Sequence, residues 1–203
     1  MPVVARGGKF VYAQVIGDVV GFLGLDEATG PALDPGALAE RADHVFATAI
    51  RLTRQMPDTA LGNILPDRPR SWLVLMHHVF QIPIAFLDCE QSGAAFTYEM
   101  LVEPPPAEMR SSAAVAECGE ALRARFGAWW ASARGGDFSR TMSTYFGDTS
   151  RHEMLERTVW HTAQHVRQVS ALLESVGVRP ERPLSKADIA GLPLTDAVWD
   201  EAG

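Results

Sequence analysis

The residues best suited to chemistry in this 203-residue chain are three histidines that helical geometry can bring together. In TVWHTAQHVRQVSALLESVG, residues 158–177, His161 and His165 stand four apart, and such positions lie one above the other on a helix face. Extended both ways, their line reads Met154, Thr158, His161, His165, Val169, Leu172 and Val176, apolar at its ends and imidazole in its middle. A buried imidazole needs a partner. Neighbouring side chains can supply it, or a metal ion can.

The segment RSWLVLMHHVFQIPIAFLDCEQ offers the answering residue, His77 or His78. Consecutive helical residues point about 100° apart. His77 falls in line with Gln81 and Asp88, a polar stripe expected at the solvent, whereas His78 falls in line with Leu75, Ile82, Phe86 and Cys89, expected at the core. His78 is therefore the expected third ligand. One i, i+4 pair and one imidazole from a facing helix can meet at a divalent ion, with bonds of about 2.0–2.1 Å for zinc. Three protein ligands leave a coordination position open, the mark of a catalytic rather than a structural site. Three-imidazole sites accept nickel, iron or manganese as well as zinc, the first expectation here. His44 and His152 fall off the apolar stripes and read as surface residues.

The elements that must position these side chains are four long helices. The first has Asp34 as N-cap and Pro35 at its first position, carries Leu38, Ala42, Val45, Ala49, Leu52 and Met56 at helical spacing, and stops at Pro57. The second runs from about Arg70 to Gln91, with Pro83 expected to kink it. The third starts at Ser111 or Ser112 and ends near Ala133, its buried stripe being Val115, Cys118, Leu122, Phe126, Trp129 and Ala133. The fourth opens on a capping box, Ser150 with Glu153, and stops at Gly177. Four such helices most simply make a mainly α protein, a four-helix bundle over residues 31–178. The connections 57–69, 92–110 and 134–149 exceed the ~2–8 residues usual in bundles. One of them, FTYEMLVEPPP, carries groups able to cover an end of the bundle.

The ends read differently. Residues 1–30 suggest strand, Gly-Gly turn, strand and short helix, a small ββα appendage. A two-stranded hairpin is marginal alone, so it must lean on the helices or on a second subunit, which leaves room for a homodimer. Residues 179–203 form a Pro-rich tail in which SKADIAG suggests a short helical turn.

Composition narrows the function classes. A formal charge of −7 and no basic cluster argue against nucleic acid as partner. The opening MPVVARGGKFVYAQVIG lacks the apolar core of a signal peptide, and the longest apolar stretches are broken by His, Gln and Pro short of the ~20 residues of a membrane span. Cys89 and Cys118 form no CxxC and suit a reducing compartment as buried thiols. A cytoplasmic protein with no membrane partner and a small-molecule substrate is expected.

The pairing of RSWLVLMHHV with ERTVWHTAQHVRQVSALLESVGV far downstream resembles the DinB-like family of metal-dependent four-helix-bundle proteins, over about residues 34–178. The resemblance implies one metal-ligating histidine on the second helix and an HxxxH pair on the fourth, hence His78, His161 and His165. It also implies a thiol-dependent enzyme, a transferase activating a low-molecular-weight thiol cosubstrate; the alternative is a non-catalytic metal or small-molecule binding protein. Gln168, one turn past His165, could orient an imidazole, donate to a ligand, or simply reach a backbone carbonyl. Arg167 could bind a thiol's carboxylate or lie along a solvated face, and Tyr98 is a candidate proton donor. Trp72, Trp129, Trp130 and Trp160 could wall a pocket or fill the core. Residues 1–30 resemble the C-terminal end of a glutaredoxin-like domain, with Pro2-Val3 in place of its Val-Pro and no redox CxxC.

Overall fold

Each long helix begins where its capping chemistry says it should. The computed structural model describes residues 3–12, 16–26, 30–65 and 68–199. Asp34 accepts a hydrogen bond from the Ala37 amide at the start of α2 (Pro35–Gln55). Ser71 does the same for Val74 at the start of α3 (Trp72–Ser92), and Ser111 for Ala114 ahead of α5 (Ser112–Ala133). Both halves of the Ser150–Glu153 capping box form at α6 (Arg151–Ser175). Gly93 closes α3 in the left-handed region at φ 73°, where a side chain would be strained. Helix α3 stays helical through Pro83.

The protein is mainly α, with α2 and α3 each packed on both α5 and α6. The stripe read for α2 is wholly buried, from Leu38 to Met56. That of α5 is buried except at Cys118, which is half-exposed. Phe46, Phe80, Phe86, Leu52 and Met154 are among the largest side chains in the core. Each contributes about 1.5–3 kcal/mol of burial. Gly119 sets how closely α5 approaches its neighbours: a Cβ there would stand 2.5 Å from Phe80 Cε1 and 2.9 Å from Ile50 Cγ1.

Helix α3 is long and apolar enough to cross a membrane by length and composition, with a mean hydropathy of 1.4. This corrects the reading that His, Gln and Pro break it too early. Most of its surface is buried against the other helices. The carboxylate of Glu90, near its C-terminal end, is 1% exposed and accepts from Arg151 Nε at 2.7 Å, Arg140 and the Trp129 indole. Removing one partner of such a buried pair costs about 3–5 kcal/mol. The network fixes α3 against the start of α6, the two helices that carry the histidines.

The long connections are not plain loops. Between α2 and α3 the chain makes a 3-10 turn (Asp58–Ala60) and an antiparallel hairpin of β3 (Ile64–Leu65) and β4 (Arg68–Ser71). Helix α4 (Tyr98–Val102) packs on α3. A second hairpin, β5 (Thr141–Thr144) with β6 (Gly147–Ser150), leads into α6, and Phe96 bridges to Thr144. Strands of two to four residues leave too little alternation to be read from sequence.

At the N-terminus β1 (Val3–Arg6) pairs antiparallel with β2 (Lys9–Tyr12), followed by α1 (Ile16–Leu23). Gly7 turns the hairpin at φ 61°. The Arg6 guanidinium donates to the Leu23 carbonyl at 3.0 Å, tying hairpin to helix. Pro2 and residues 200–203 of the tail lie outside the described residues.

The tail is a strap rather than a spacer. Arg51 donates to the Glu181 and Arg182 carbonyls, Gln55 to that of Arg179, and Gln164 to that of Val198. SKADIAG forms consecutive hydrogen-bonded turns, the first closed by Ser185 and Asp188. Val176, placed on the buried stripe of α6, is exposed because the helix ends at Ser175.

Candidate metal centre

The helical phase of α6 puts His161 and His165 on one side, and α3 brings His78 against them. Ring centroids lie 4.9 Å apart for His161 and His165, 5.0 Å for His78 and His165, and 5.6 Å for His78 and His161. One ring nitrogen from each falls within 4.8 Å of the others. Ligands on a tetrahedral ion with ~2.1 Å bonds sit about 3.4 Å apart, so a modest inward shift of three rings completes the geometry. Three nearby histidines could therefore hold a metal ion.

Two of the rings are held in the tautomer a metal needs. His78 Nδ1 lies 2.7 Å from the Leu101 carbonyl, which can only accept; Nδ1 therefore carries the proton and Nε2 the lone pair. His165 Nδ1 lies 2.7 Å from Gln168 Oε1, and the Gln168 amide nitrogen donates in turn to the Val198 carbonyl at 3.1 Å. That second bond fixes which way the amide faces, so His165 Nδ1–H is the donor and ligation falls to Nε2. Such outer partners orient metal-binding imidazoles and raise their basicity. The contacts of Gln168 match two of the roles open to it, since its oxygen meets an imidazole and its amide reaches a backbone carbonyl. His161 packs beside the Trp160 indole, ring centroids 5.5 Å apart.

Burial, then the neighbouring His165 and Arg70, push His78 down to about 3. His161 is also held well below the ordinary imidazole range, by burial first and then by His165, His78, Arg157 and Arg70. Neutral imidazole is the form that binds metal.

The other sequence candidates fall elsewhere. His77 is not at the solvent: it is 5% exposed, and its pKa is lowered by burial against an opposing pull from Glu103. Gln81 is buried too, donating to the Met100 carbonyl at 2.9 Å. Helix α4 covers this face of α3, which helical phase alone could not foresee; only Asp88, paired with Arg125, stays partly exposed. Arg167 donates to Gln164 and to the Thr195 and Asp196 carbonyls, which ties the tail to α6. Tyr98 is exposed and stands edge-on to Tyr145, with ring centroids 5.7 Å apart. His44 is exposed and faces Asp188 at 3.2 Å. His152 is half-buried, its Nε2 2.8 Å from the Leu33 carbonyl. Trp72 and Trp129 are buried core; Trp130 and Trp160 are partly exposed beside it.

Sequence reasoning missed a cavity of about 30 Å³ beside the histidines, lined by Arg68, Arg70, Leu65, Leu75, His165, Gln168 and Trp199. Arg68 and Arg70, two apart on β4, share a strand face; period-2 placement was the one signal available for them. Set against known proteins, the chain matches no family model and no curated protein.

Proposed function

We propose that the protein is a DinB-like four-helix bundle that binds a divalent metal, zinc first, through His78, His161 and His165, and works in the cytoplasm as a thiol-dependent transferase. The observation that carries this reading is the convergence of three ring nitrogens within 4.8 Å, two of them backed by hydrogen bonds that commit Nδ1. A closed structural site has four protein ligands, and three imidazoles leave a position for a ligand. A divalent ion bound there supplies a charge that deprotonates a thiol at neutral pH. The chain's own residues set the conditions. Leu101 and Gln168 hold two imidazoles in place, while Trp199 and Leu75 wall the cavity beside His165.

The test compares zinc-loaded and zinc-free protein across a panel of low-molecular-weight thiols with a reactive aromatic electrophile, between about pH 6 and 8, where a free thiol gains its charge. Zinc-dependent turnover with a particular thiol, persisting near pH 6, is expected; His161→Ala should lose zinc and turnover together. Retained zinc with equal rates in loaded and unloaded protein for every thiol leaves a non-catalytic binding protein.

A further inference from the structure

We infer that a second copy of this chain docks on the outer face of the N-terminal hairpin, joining two copies through Val3, Ala5, Phe10 and Tyr12. The inference is independent of the metal-site reading.

The strand register sets the face. Val3 stands opposite Tyr12 and Ala5 opposite Phe10, so these four side chains share one side of the sheet, while Val4, Val11, Arg6 and Lys9 share the other. Helix α1 packs on β2, and Val4 and Val11 are half-buried, as are Val19, Val20, Phe22 and Leu23 of the helix. That side is the covered one. The first side is bare: Phe10 is 60% exposed, Val3 49% and Tyr12 48%, and Ala5 is exposed as well. The Phe10 and Tyr12 rings meet edge to face, with centroids 5.6 Å apart. A sheet side left to water normally alternates into polar residues, and this one carries four apolar ones. Such a patch marks an interaction surface.

The bundle does not supply the cover. Among the described residues before Leu33, no half-buried apolar side chain packs against the hydrophobic core. A two-stranded hairpin is marginal alone and gains stability from further strands or from packing.

The face fits itself. Rings stand on β2 and small side chains on β1. A two-fold axis running along the strands, midway between two such faces, lays the Phe10–Tyr12 row of each copy over the Val3–Ala5 row of the other. Sheets stacked face to face sit about 10 Å apart, a gap that rings set against short side chains can fill. The contact is isologous and closes at two copies. The exposed parts of the four side chains come to roughly 350 Å² in each copy, or about 700 Å² in the pair. Interfaces are only a little over half apolar, so this corresponds to about 1,200 Å² of buried surface, the lower edge of stable interfaces. A membrane surface is a poorer occupant. Interfacial anchors set basic residues beside their rings, whereas Arg6 and Lys9 belong to the other side, where Arg6 is tied to Leu23.

Sedimentation velocity of the full chain at micromolar concentrations tests the inference. A mass of twice 22.1 kDa is expected. Phe10→Glu sets two carboxylates into the contact and should raise the dissociation constant by at least about 100-fold. Lys9→Gln, the same change in charge on the opposite side, should leave the dimer intact. Tyr12→Ser repeats the test without a charge should Phe10→Glu disturb the hairpin. Unchanged thermal unfolding of the bundle separates lost association from lost fold. In a sample mixing isotope-labelled and unlabelled protein, filtered NOEs between the Phe10 ring and the Ala5 methyl of the other copy are expected. A monomer at every concentration overturns the inference, as does a dimer that survives both Phe10→Glu and Tyr12→Ser. A monomer that floats with phosphatidylcholine vesicles, and ceases to on Phe10→Glu, gives the face to a lipid surface and overturns it equally.

Discussion

Gln168→Leu isolates what the outer hydrogen bond of His165 contributes. Leucine keeps most of the volume and apolar character of the glutamine stem, but it removes the acceptor 2.7 Å from His165 Nδ1. The imidazole then loses the contact that fixes its tautomer and its rotation. Loss of such a partner typically costs 10–100-fold in metal affinity, or about 1.4–2.7 kcal/mol. Folding should suffer less. The Val198 carbonyl keeps a donor, since Gln164 Nε2 already lies 2.7 Å away, so about 1 kcal/mol of zinc-free stability is at stake. Gln168→Glu offers the opposite case. A carboxylate accepts from Nδ1–H more strongly than an amide, which should raise zinc affinity. The same carboxylate faces the Val198 carbonyl with two acceptors, which should loosen the tail that carries Trp199. Competition with a zinc-responsive chelator dye measures affinity, and urea unfolding of the zinc-free proteins measures stability. A Leu variant that binds zinc like the parent would refute the account, as would an equal loss in the Leu and Glu variants.

Two further outcomes follow from the packing and the burial. Gly119→Ala should destabilise by about 1–3 kcal/mol, because its Cβ would overlap Phe80 and Ile50, and this outweighs the ~1 kcal/mol that alanine gains in helix propensity. Thermal unfolding should drop by roughly 2–4 °C per kcal/mol while zinc affinity holds, and a more stable variant would show that α5 has room to move. Zinc-free protein should weaken as pH falls, because His78 has a pKa of about 3 when folded against 6.5 as its ordinary value, so the unfolded chain takes up the proton first. The stability is fully present above about pH 6.5 and declines toward pH 3, with about 2 kcal/mol lost by pH 5 from this histidine alone. Denaturant titrations at pH 7.5 and 5 that agree within error would contradict a buried, neutral His78.

The helices and the histidine trio were legible because each rests on a repeat that one element carries by itself. Asp34, Ser71, Ser111 and Ser150 announce helix starts through chemistry confined to three or four residues, and the i, i+4 spacing of His161 and His165 needs only the pitch of α6. The preference for His78 over His77 also came from phase, but the reason given for His77 did not hold. Its face of α3 is covered by α4, five residues whose position depends on packing rather than on pattern.

What stayed hidden is set by distance along the chain. Leu101 serves His78 from 23 positions away, and the Val198 carbonyl steadies Gln168 from 30. Arg70 and Trp199 meet at one cavity with most of the chain between them. A ligating histidine must lie on a buried face and so leaves a mark in the hydrophobic period. A cation that lines a cavity lies on a short strand where every second residue is equally eligible, and Arg68 and Arg70 look like any exposed pair. The histidine trio is thus written in helical phase, while the wall of the cavity beside His165 is assembled from connecting segments far apart in the chain.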